Sequence, residues 1–387
     1  MSSKLLFLTN LGSDYGEYFN LRGFCKLLGK DRVWEWPHKN TYHNKGDHYP
    51  ERIINGKHYI GPQGTWSELW TDKSLYRAWE PQRFPEVPLS NDGPLHFVEP
   101  LETYNPTFEE ILAAIVSGEI GAVVLGSARW HSSIALSEIL QAIDRDNMPT
   151  LLFTDMEDYY QLRTDFIGAF YPDIYFKRTL ITQGEPRTCL VGVTTPVLPI
   201  PFSSMWTFPF KPFAERSTDV FCVFGNTQVL RRLVRETVVE TVSKKFPRAK
   251  IMAEVGHPLG HTEYLKTLQD SKIVIDHQRM GTDCVRTWEA LASGCCIVSD
   301  LHMQMPDQLT PGQHFLQYDN DMSWQGDQQK MDTLRNRVSE ALENPARSEQ
   351  IAKSAHELVN SKHSNEARAR YILESAKSRG FPVGDLI

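Results

Sequence analysis

The stretch Ser271–Asp300 constrains the fold of this chain more than any other. Residues 271–276 (SKIVID) are a short apolar run of the kind that fills a buried parallel strand. The loop His277–Asp283 follows, and a helical pattern then begins at Cys284. Val285, Trp288 and Ala292 fall on one face, Leu291 extends that face, and Gly294 can take the left-handed conformation that closes such a helix. A second apolar run, Cys296–Ser299, comes at once. Strand, crossover helix and strand in so few residues demand a parallel sheet covered on both faces. Arg286 and Glu289 sit one turn apart near the helix start. A carboxylate there can accept two hydrogen bonds from a ribose diol, while a guanidinium and the positive helix end hold phosphate. An ordinary Arg/Glu pair on a solvated face fits the same spacing.

The alternation of apolar β-branched runs with helical patterns extends along the chain and predicts an α/β protein with doubly wound parallel sheets. Expected strands in the first half are Leu5–Thr9, Ala122–Gly126, Leu151–Thr154, Ile174–Phe176 and Cys189–Val193. Those in the second half are Val220–Phe224, Lys250–Val255, Ile273–Asp276, Cys296–Ser299 and Phe315–Tyr318. Prolines between Pro196 and Pro212 forbid a continuous helix or central strand, which marks a linker. Leu230, Val234, Val238 and Val242 recur in steps of four and predict a helix over Gln228–Phe246. At 387 residues the chain can hold two cores. The expected division is 1–200, with an aromatic-rich insertion at about 34–110, then 201–365, and 366–387 for a terminal helix.

Composition excludes several classes. No run approaches about 18 apolar residues, so a membrane span is not expected. The six cysteines are scattered without paired metal spacing, as expected of reduced core residues in a cytoplasmic protein. A formal net charge of −7 offers no general attraction to polyanions.

Open α/β sheets bind ligands beyond the carboxyl ends of their strands. After the first strand come Gly12, Ser13 and Asp14, an acceptor-facing turn or an ordinary strand-to-helix connection. Arg129 and His131 follow the Ala122–Gly126 strand, and Asp155 follows Leu151–Thr154. Arg129 is an acceptor-side candidate, and His131 and Asp155 are candidate bases for an acceptor hydroxyl. A capping role explains Asp155 equally well. Lys177 and Arg178 form a cation pair at a strand end, suited to a diphosphate. Gly225 and Asn226 end a strand in the second half, with Arg231 and Arg232 in the next helix. His257 and His277 end others. Residues 34–110 hold Trp34, Trp36, Tyr42, Trp66, Trp70, Tyr76 and Trp79, interleaved with Arg77 and Arg83, and read as a loop-rich flap for an acceptor. His38, His43 and His48 recur every five residues, a step that matches neither a helical face nor a zinc spacing.

The run SKIVIDHQRMGTDCVRTWEALASGCCIVSD resembles the donor-nucleotide segment of GT-B glycosyltransferases, most closely the spore-maturation CgeB-type group. LVGVTTPVLPIPFS, DVFCVFGN, GQHFLQYDN and KHSNEARARYIL agree with it, so the resemblance covers about residues 170–375. It implies two Rossmann-like domains facing a cleft, a terminal helix crossing back to the first domain, and a metal-independent hexosyl- or pentosyltransferase. It implies no cofactor, with a nucleotide-sugar, UDP-sugar by preference, as co-substrate. The residues carried over for donor binding are Lys177, Arg178, Gly225, Asn226, Arg231, His277, Gly281, Arg286 and Glu289. The chain departs from the pattern at Gly281, where many related retaining transferases carry an additional Glu. Three functions compete: sugar transfer to a small molecule, glycan or protein; transfer to hydroxymethylated bases of DNA, as in some bacteriophage enzymes; and non-catalytic nucleotide-sugar binding. No Gly-x-Gly-x-x-Gly opens either half, which disfavours a nicotinamide-dependent dehydrogenase. For the first reading, transfer rate should change only modestly between low and physiological salt. A steep linear fall of log affinity with log salt, with labelled sugar appearing on hydroxymethylated DNA, would instead establish the nucleic-acid acceptor.

Overall fold

The computed structural model describes residues 3–9, 15–36, 51–54, 57–60, 101–127, 130–182, 188–224, 229–255, 261–278, 281–301, 304–305, 307–318 and 327–387. Its strands are β1 (Lys4–Leu8), β2 (Val33–Trp36), β3 (Glu51–Ile54), β4 (Lys57–Ile60), β5 (Ile120–Leu125), β6 (Thr150–Asp155), β7 (Ile174–Lys177), β8 (Val197–Pro199), β9 (Thr218–Phe221), β10 (Ile251–Met252), β11 (Ser271–Asp276), β12 (Cys296–Ser299) and β13 (Leu316–Gln317). The helices are α1 (Tyr15–Leu28), α2 (Phe108–Val116), α3 (Trp130–Ala142), α4 (Thr164–Phe170), α5 (Val229–Lys245), α6 (His261–Gln269), α7 (Val285–Ala292), α8 (Asp327–Glu343), α9 (Pro345–Lys362) and α10 (Asn365–Lys377). One sheet has the order β2-β1-β5-β6-β7-β8, a second the order β10-β9-β11-β12-β13, and β3-β4 is an antiparallel pair. In the first sheet β1 runs parallel to β2 and β5, β5 to β6, and β7 to β8; every pairing of the second is parallel.

Two compact units emerge: residues 1–154, 169–174 and 372–387 in one, and 155–168 and 175–371 in the other. In the first unit, Leu5, Leu6, Phe7 and Leu8 of β1 are wholly buried, as a central parallel strand requires. Trp34 and Trp36 belong to β2 of this sheet, and Trp34 is only 6% exposed. The expectation of a flap beginning at residue 34 is therefore corrected there; Tyr42, Trp66, Trp70, Tyr76, Arg77, Trp79 and Arg83 lie outside the described residues. The end of the chain packs in this same unit, with the Thr150 hydroxyl donating to the Pro382 carbonyl and Arg32 Nη2 donating to the Asp385 carbonyl at 2.7 Å.

In the second unit, successive side chains of each central strand enter different cores, because strand side chains alternate between faces. Val220, Ile273, Ile275, Cys296 and Val298 pack with Val234, Val238 and Val242 of α5 and Leu334 and Val338 of α8. Phe221, Val274 and Ile297 face the other way, against Leu265 and Leu268 of α6, Trp288 and Leu291 of α7, and Ala355 and Val359 of α9. This two-sided burial explains why these strands read as unbroken apolar runs. Cys189–Val193 is not a strand: it turns through Gly192 at φ 77°, and Val191 is 90% exposed. Val197–Pro199 takes the edge position instead, where proline's missing N–H costs no central ladder bond. No helix among the described residues is long and apolar enough to cross a membrane.

Truncating Ile275, wholly buried between β9 and β12, should cost about 2–5 kcal/mol. Val191→Ala should stay within about 0.5 kcal/mol. Urea titrations followed by circular dichroism test the pair, and equal losses would contradict the burial pattern.

Candidate functional site

The polar side chains at the carboxyl end of the second sheet are ordered by one buried carboxylate. Asp276 closes β11 and is wholly buried. Its Oδ2 accepts from Thr287 Oγ1 at 2.7 Å, from Gln278 Nε2 at 2.8 Å and from Ser299 Oγ at 3.3 Å. Thr287 lies in the first turn of α7, so these bonds tie the helix start to the ends of β11 and β12. Cys284 enters the helix in an extended conformation, φ −142°, and its N–H donates to Thr287 Oγ1 at 3.3 Å. The far end closes as expected: Gly294 has φ 71°, its N–H reaches the Leu291 carbonyl at 3.0 Å, and the Cys295 N–H reaches Ala290 at 3.0 Å. Those two bonds form a Schellman motif.

Held in this way, α7 presents Arg286 as its second residue and Glu289 as its fifth. Glu289 is 6% exposed and accepts from the Tyr264 hydroxyl of α6 at 3.0 Å. Burial pushes its carboxyl up to about 7, against the opposing pull of the Tyr264 bond and the Arg286 charge. The Tyr264 phenol is driven the other way from ionisation, well above its usual range, by burial and by Glu289, so it keeps its proton and donates. Arg286 is half-buried, and its Nε and Nη1 are shielded from solvent without a hydrogen-bond partner. Its guanidinium carbon lies 5.8 Å from the Phe224 ring centroid, and that of Arg231 lies 6.0 Å from the same ring. Two guanidiniums thus approach one aromatic ring, and Arg286 lies one turn from the buried carboxyl of Glu289, an arrangement able to hold an anion and a diol together.

Other expected site residues meet charged partners, although Nε and Nη2 of Arg178 are shielded without a hydrogen-bond partner, as two nitrogens of Arg286 are. Asp155 and Lys177 are each about 1% exposed in the side chain and pair at 2.8 Å. Asp155 Oδ2 also accepts from the Tyr175 hydroxyl, and its Oδ1 accepts from the Glu157 N–H at 3.0 Å. Asp155, the candidate base, and Lys177, a candidate diphosphate ligand, thus meet each other in a buried ion pair. Arg178, the other cation of the expected donor pair, is 2% exposed. Its guanidinium ion-pairs with Asp158 and with Asp283, 3.7 Å from the latter, and lies 4.4 Å from the Phe202 ring. Gly281 is required beside it, since a Cβ there would collide with Arg178 Nη2 and stand 3.0 Å from Asp158 Oδ1. Asp283 is pushed up by burial, although Trp288 Nε1 donates to it at 2.8 Å and Phe202 N at 2.7 Å.

His277 is 2% exposed. Its Nδ1 lies 2.7 Å from Asp300 and 3.1 Å from the Tyr318 hydroxyl, while Nε2 has no partner. Despite burial, His277 and Lys330 hold Asp300 down at about 2. Arg232 is exposed, 3.7 Å from Glu236. His131 is the second residue of α3, and its side chain lies outside the described residues. Gly12, Ser13, Asp14, His38, His43, His48, Arg129, Gly225, Asn226 and His257 also lie outside them. Among the described residues no group of three or more His, Cys, Asp or Glu side chains could hold a metal ion.

Residues 213–374 match the protein-family model described as "Glycosyl transferase-like", and this span contains every member of the Arg286/Glu289 cluster. The chain is similar in structure to a glycosyltransferase from Rickettsia africae, with TM-score 0.52 and 10% identity over 97% of this chain and 98% of that one. The Anabaena protein HepE in complex with UDP-glucose gives TM-score 0.47 and 11% identity over 97% of this chain and 99% of that one. The pneumococcal O-GlcNAc transferase GtfA in complex with UDP and GlcNAc gives TM-score 0.41 and 12% identity over 69% of this chain; the chain spans 59% of that protein. The Rickettsia likeness shows the fold, two parallel-sheet α/β domains of the GT-B type. No curated protein sequence matches the chain.

The raised carboxyl of Glu289 has a stability consequence. Between its ordinary value of 4.5 and about 7 the unfolded chain has lost this proton while the native state keeps it. The native state then binds more protons, so this contribution to stability falls as pH rises through that window and levels off above it. Glu289→Gln should remove the fall. Chemical denaturation of both proteins from pH 5 to 8 tests this, and wild type gaining on the variant as pH rises would contradict it.

Proposed function

We propose that the chain is a nucleotide-sugar-dependent glycosyltransferase, of the CgeB-type group that the sequence resembles, moving a hexosyl or pentosyl unit from a UDP-sugar to an acceptor hydroxyl. The observation that carries this reading is the pairing of buried Glu289 with Arg286, whose two shielded guanidinium nitrogens lack partners. A ribose diol donating to Glu289 would stabilise its ionised form, and a diphosphate would supply the acceptor oxygens that Arg286 lacks. Arg231, across the Phe224 ring, would add a second positive charge. As the bond to the sugar breaks, negative charge builds on the departing diphosphate, and fixed guanidiniums in a water-poor site would stabilise it without reorganisation. His131, the second residue of α3 just beyond β5, stands as the proposed base for the acceptor hydroxyl. The family match over residues 213–374 supports sugar transfer.

A thermal-shift titration with UDP and UDP-sugars tests the reading, since a ligand that binds only the native state raises the melting temperature. Stabilisation should persist in chelator, because guanidiniums rather than a cation meet the diphosphate in this proposal. Affinity should rise as pH increases through about 7, where Glu289 ionises. Glu289→Gln should lose about 1.5–3 kcal/mol of UDP affinity and flatten that pH dependence while remaining folded. Undiminished affinity in the folded variant would return Glu289 to a purely structural bond with Tyr264.

A further inference from the structure

A cavity of about 860 Å³ lies at the opposite end of the first sheet from the strand ends where such sheets bind their ligands. Its lining places it there: Lys4 opens β1, Lys30 and Asp31 precede β2, and Glu119 immediately precedes β5. Every lining residue belongs to the first unit. The volume falls within the range of small-molecule sites.

Its lining includes an aromatic ring fixed in place. Tyr104 is 43% exposed, and its ring centroid lies 5.0 Å from that of Trp34, which is buried in β2. The Tyr104 backbone extends the sheet edge: its N–H donates to the Val33 carbonyl at 3.1 Å, and its carbonyl accepts from the Glu35 N–H at 2.9 Å. The ring hydroxyl donates to Glu110 Oε1 at 2.8 Å. Glu110 is itself locked, since its Oε2 accepts from the Thr107 N–H at 2.8 Å in a capping box at the start of α2. Backbone and hydroxyl anchors thus hold a part-exposed ring in place, and a ligand packing on it would cost the protein little further side-chain freedom.

The rim alternates charge. Lys30 reaches Glu102 at 2.8 Å on the outer edge, where both side chains are more than half exposed. Lys4 reaches Glu119 at 2.7 Å while lying 4.2 Å from the Trp34 ring centroid. Two ammonium groups stand against four carboxylates in the lining, an acidic balance that disfavours phosphates and polyanions. Three of those carboxylates already carry a partner and keep lone pairs for further donors. Groups that both donate and accept, set around a face that stacks on an aromatic ring, complement such a rim, and those are the hydroxyls and ring faces of a sugar.

We propose that this cavity is a saccharide-binding site, separate from the Arg286/Glu289 cluster, which takes a neutral oligosaccharide with one sugar ring stacked on Tyr104. Calorimetric titration of the full chain with maltohexaose, cellohexaose and chitohexaose, each up to about 10 mM, tests this, with hydrogen exchange reading protection at residues 101–119. At least one probe should bind and protect that segment. Tyr104→Ala should weaken binding about tenfold or more, and Tyr104→Phe, which keeps the ring, by about twofold. Should Tyr104→Ala fail to fold, Lys30→Ala removes an exposed rim donor and should weaken binding about threefold. Binding of none of the probes, wild-type affinity in folded Tyr104→Ala, or tighter Tyr104-dependent binding of oligolysine than of the saccharides would overturn the proposal. The outcome is independent of UDP binding at the second unit.

Discussion

The fan of hydrogen bonds onto Asp276 is the interaction on which the second unit's chemistry depends. A carboxylate with no exposure is tolerable only when donors replace the water it has lost. Here they come from three places: the helix that follows, the loop between, and the neighbouring strand. Because Thr287 is one of the donors, satisfying Asp276 also fixes where α7 begins. The positions of Arg286 and Glu289, one residue before Thr287 and two after, follow from that anchor. A side chain buried to satisfy the fold thus sets the geometry of side chains that the fold leaves unsatisfied.

That difference separates the polar residues at strand ends into two kinds. Lys177 and Asp155 neutralise each other, and Arg178 is bracketed by Asp158 and Asp283. Removing one partner of such a pair leaves an uncompensated buried charge, which is why these groups read as architecture. His277 stands between the kinds, with Nδ1 held by Asp300 and Tyr318 and Nε2 unpartnered in a buried position. Arg286 belongs to the second kind. The Phe224 ring lies beside it and the charges of Asp276 and Glu289 act on it, yet its Nε and Nη1 have no hydrogen-bond partner.

Much of the second unit was legible because two-sided burial writes itself into sequence. Residues 273–275 and 296–298 are apolar, and the strands Ser271–Asp276 and Cys296–Ser299 contain them. Gly294 announced the helix end because a left-handed residue there favours glycine. Cys189–Val193 was misleading, since an apolar run with no partner strand looks the same as one with a partner. The polar strand ends were equally ambiguous: Lys177 looks the same whether it faces solvent or a carboxylate 22 positions earlier. Tyr264 gave no signal at all, since its bond to Glu289 joins different helices across 25 positions. Trp34 was read with the aromatic residues that follow it, because composition does not reveal where a sheet's edge strand stops.

An unsatisfied cation inside a protein has to be explained by what offsets its cost. Arg178 also has two nitrogens without hydrogen-bond partners, but the carboxylates of Asp158 and Asp283 offset its charge, and Gly281 passes beside its guanidinium without a Cβ. For Arg286 the described residues supply only partial compensation. Long-range attraction from Glu289 is weakened because burial holds that carboxyl near 7, and the Phe224 ring is shared with the like charge of Arg231. An anionic group beside Arg286 would supply acceptors to Nε and Nη1. A diol at Glu289 would at the same time favour its ionised form, raising the attraction on Arg286. The two halves of such a ligand would therefore bind more tightly together than apart, which is the behaviour a site for a nucleoside diphosphate requires.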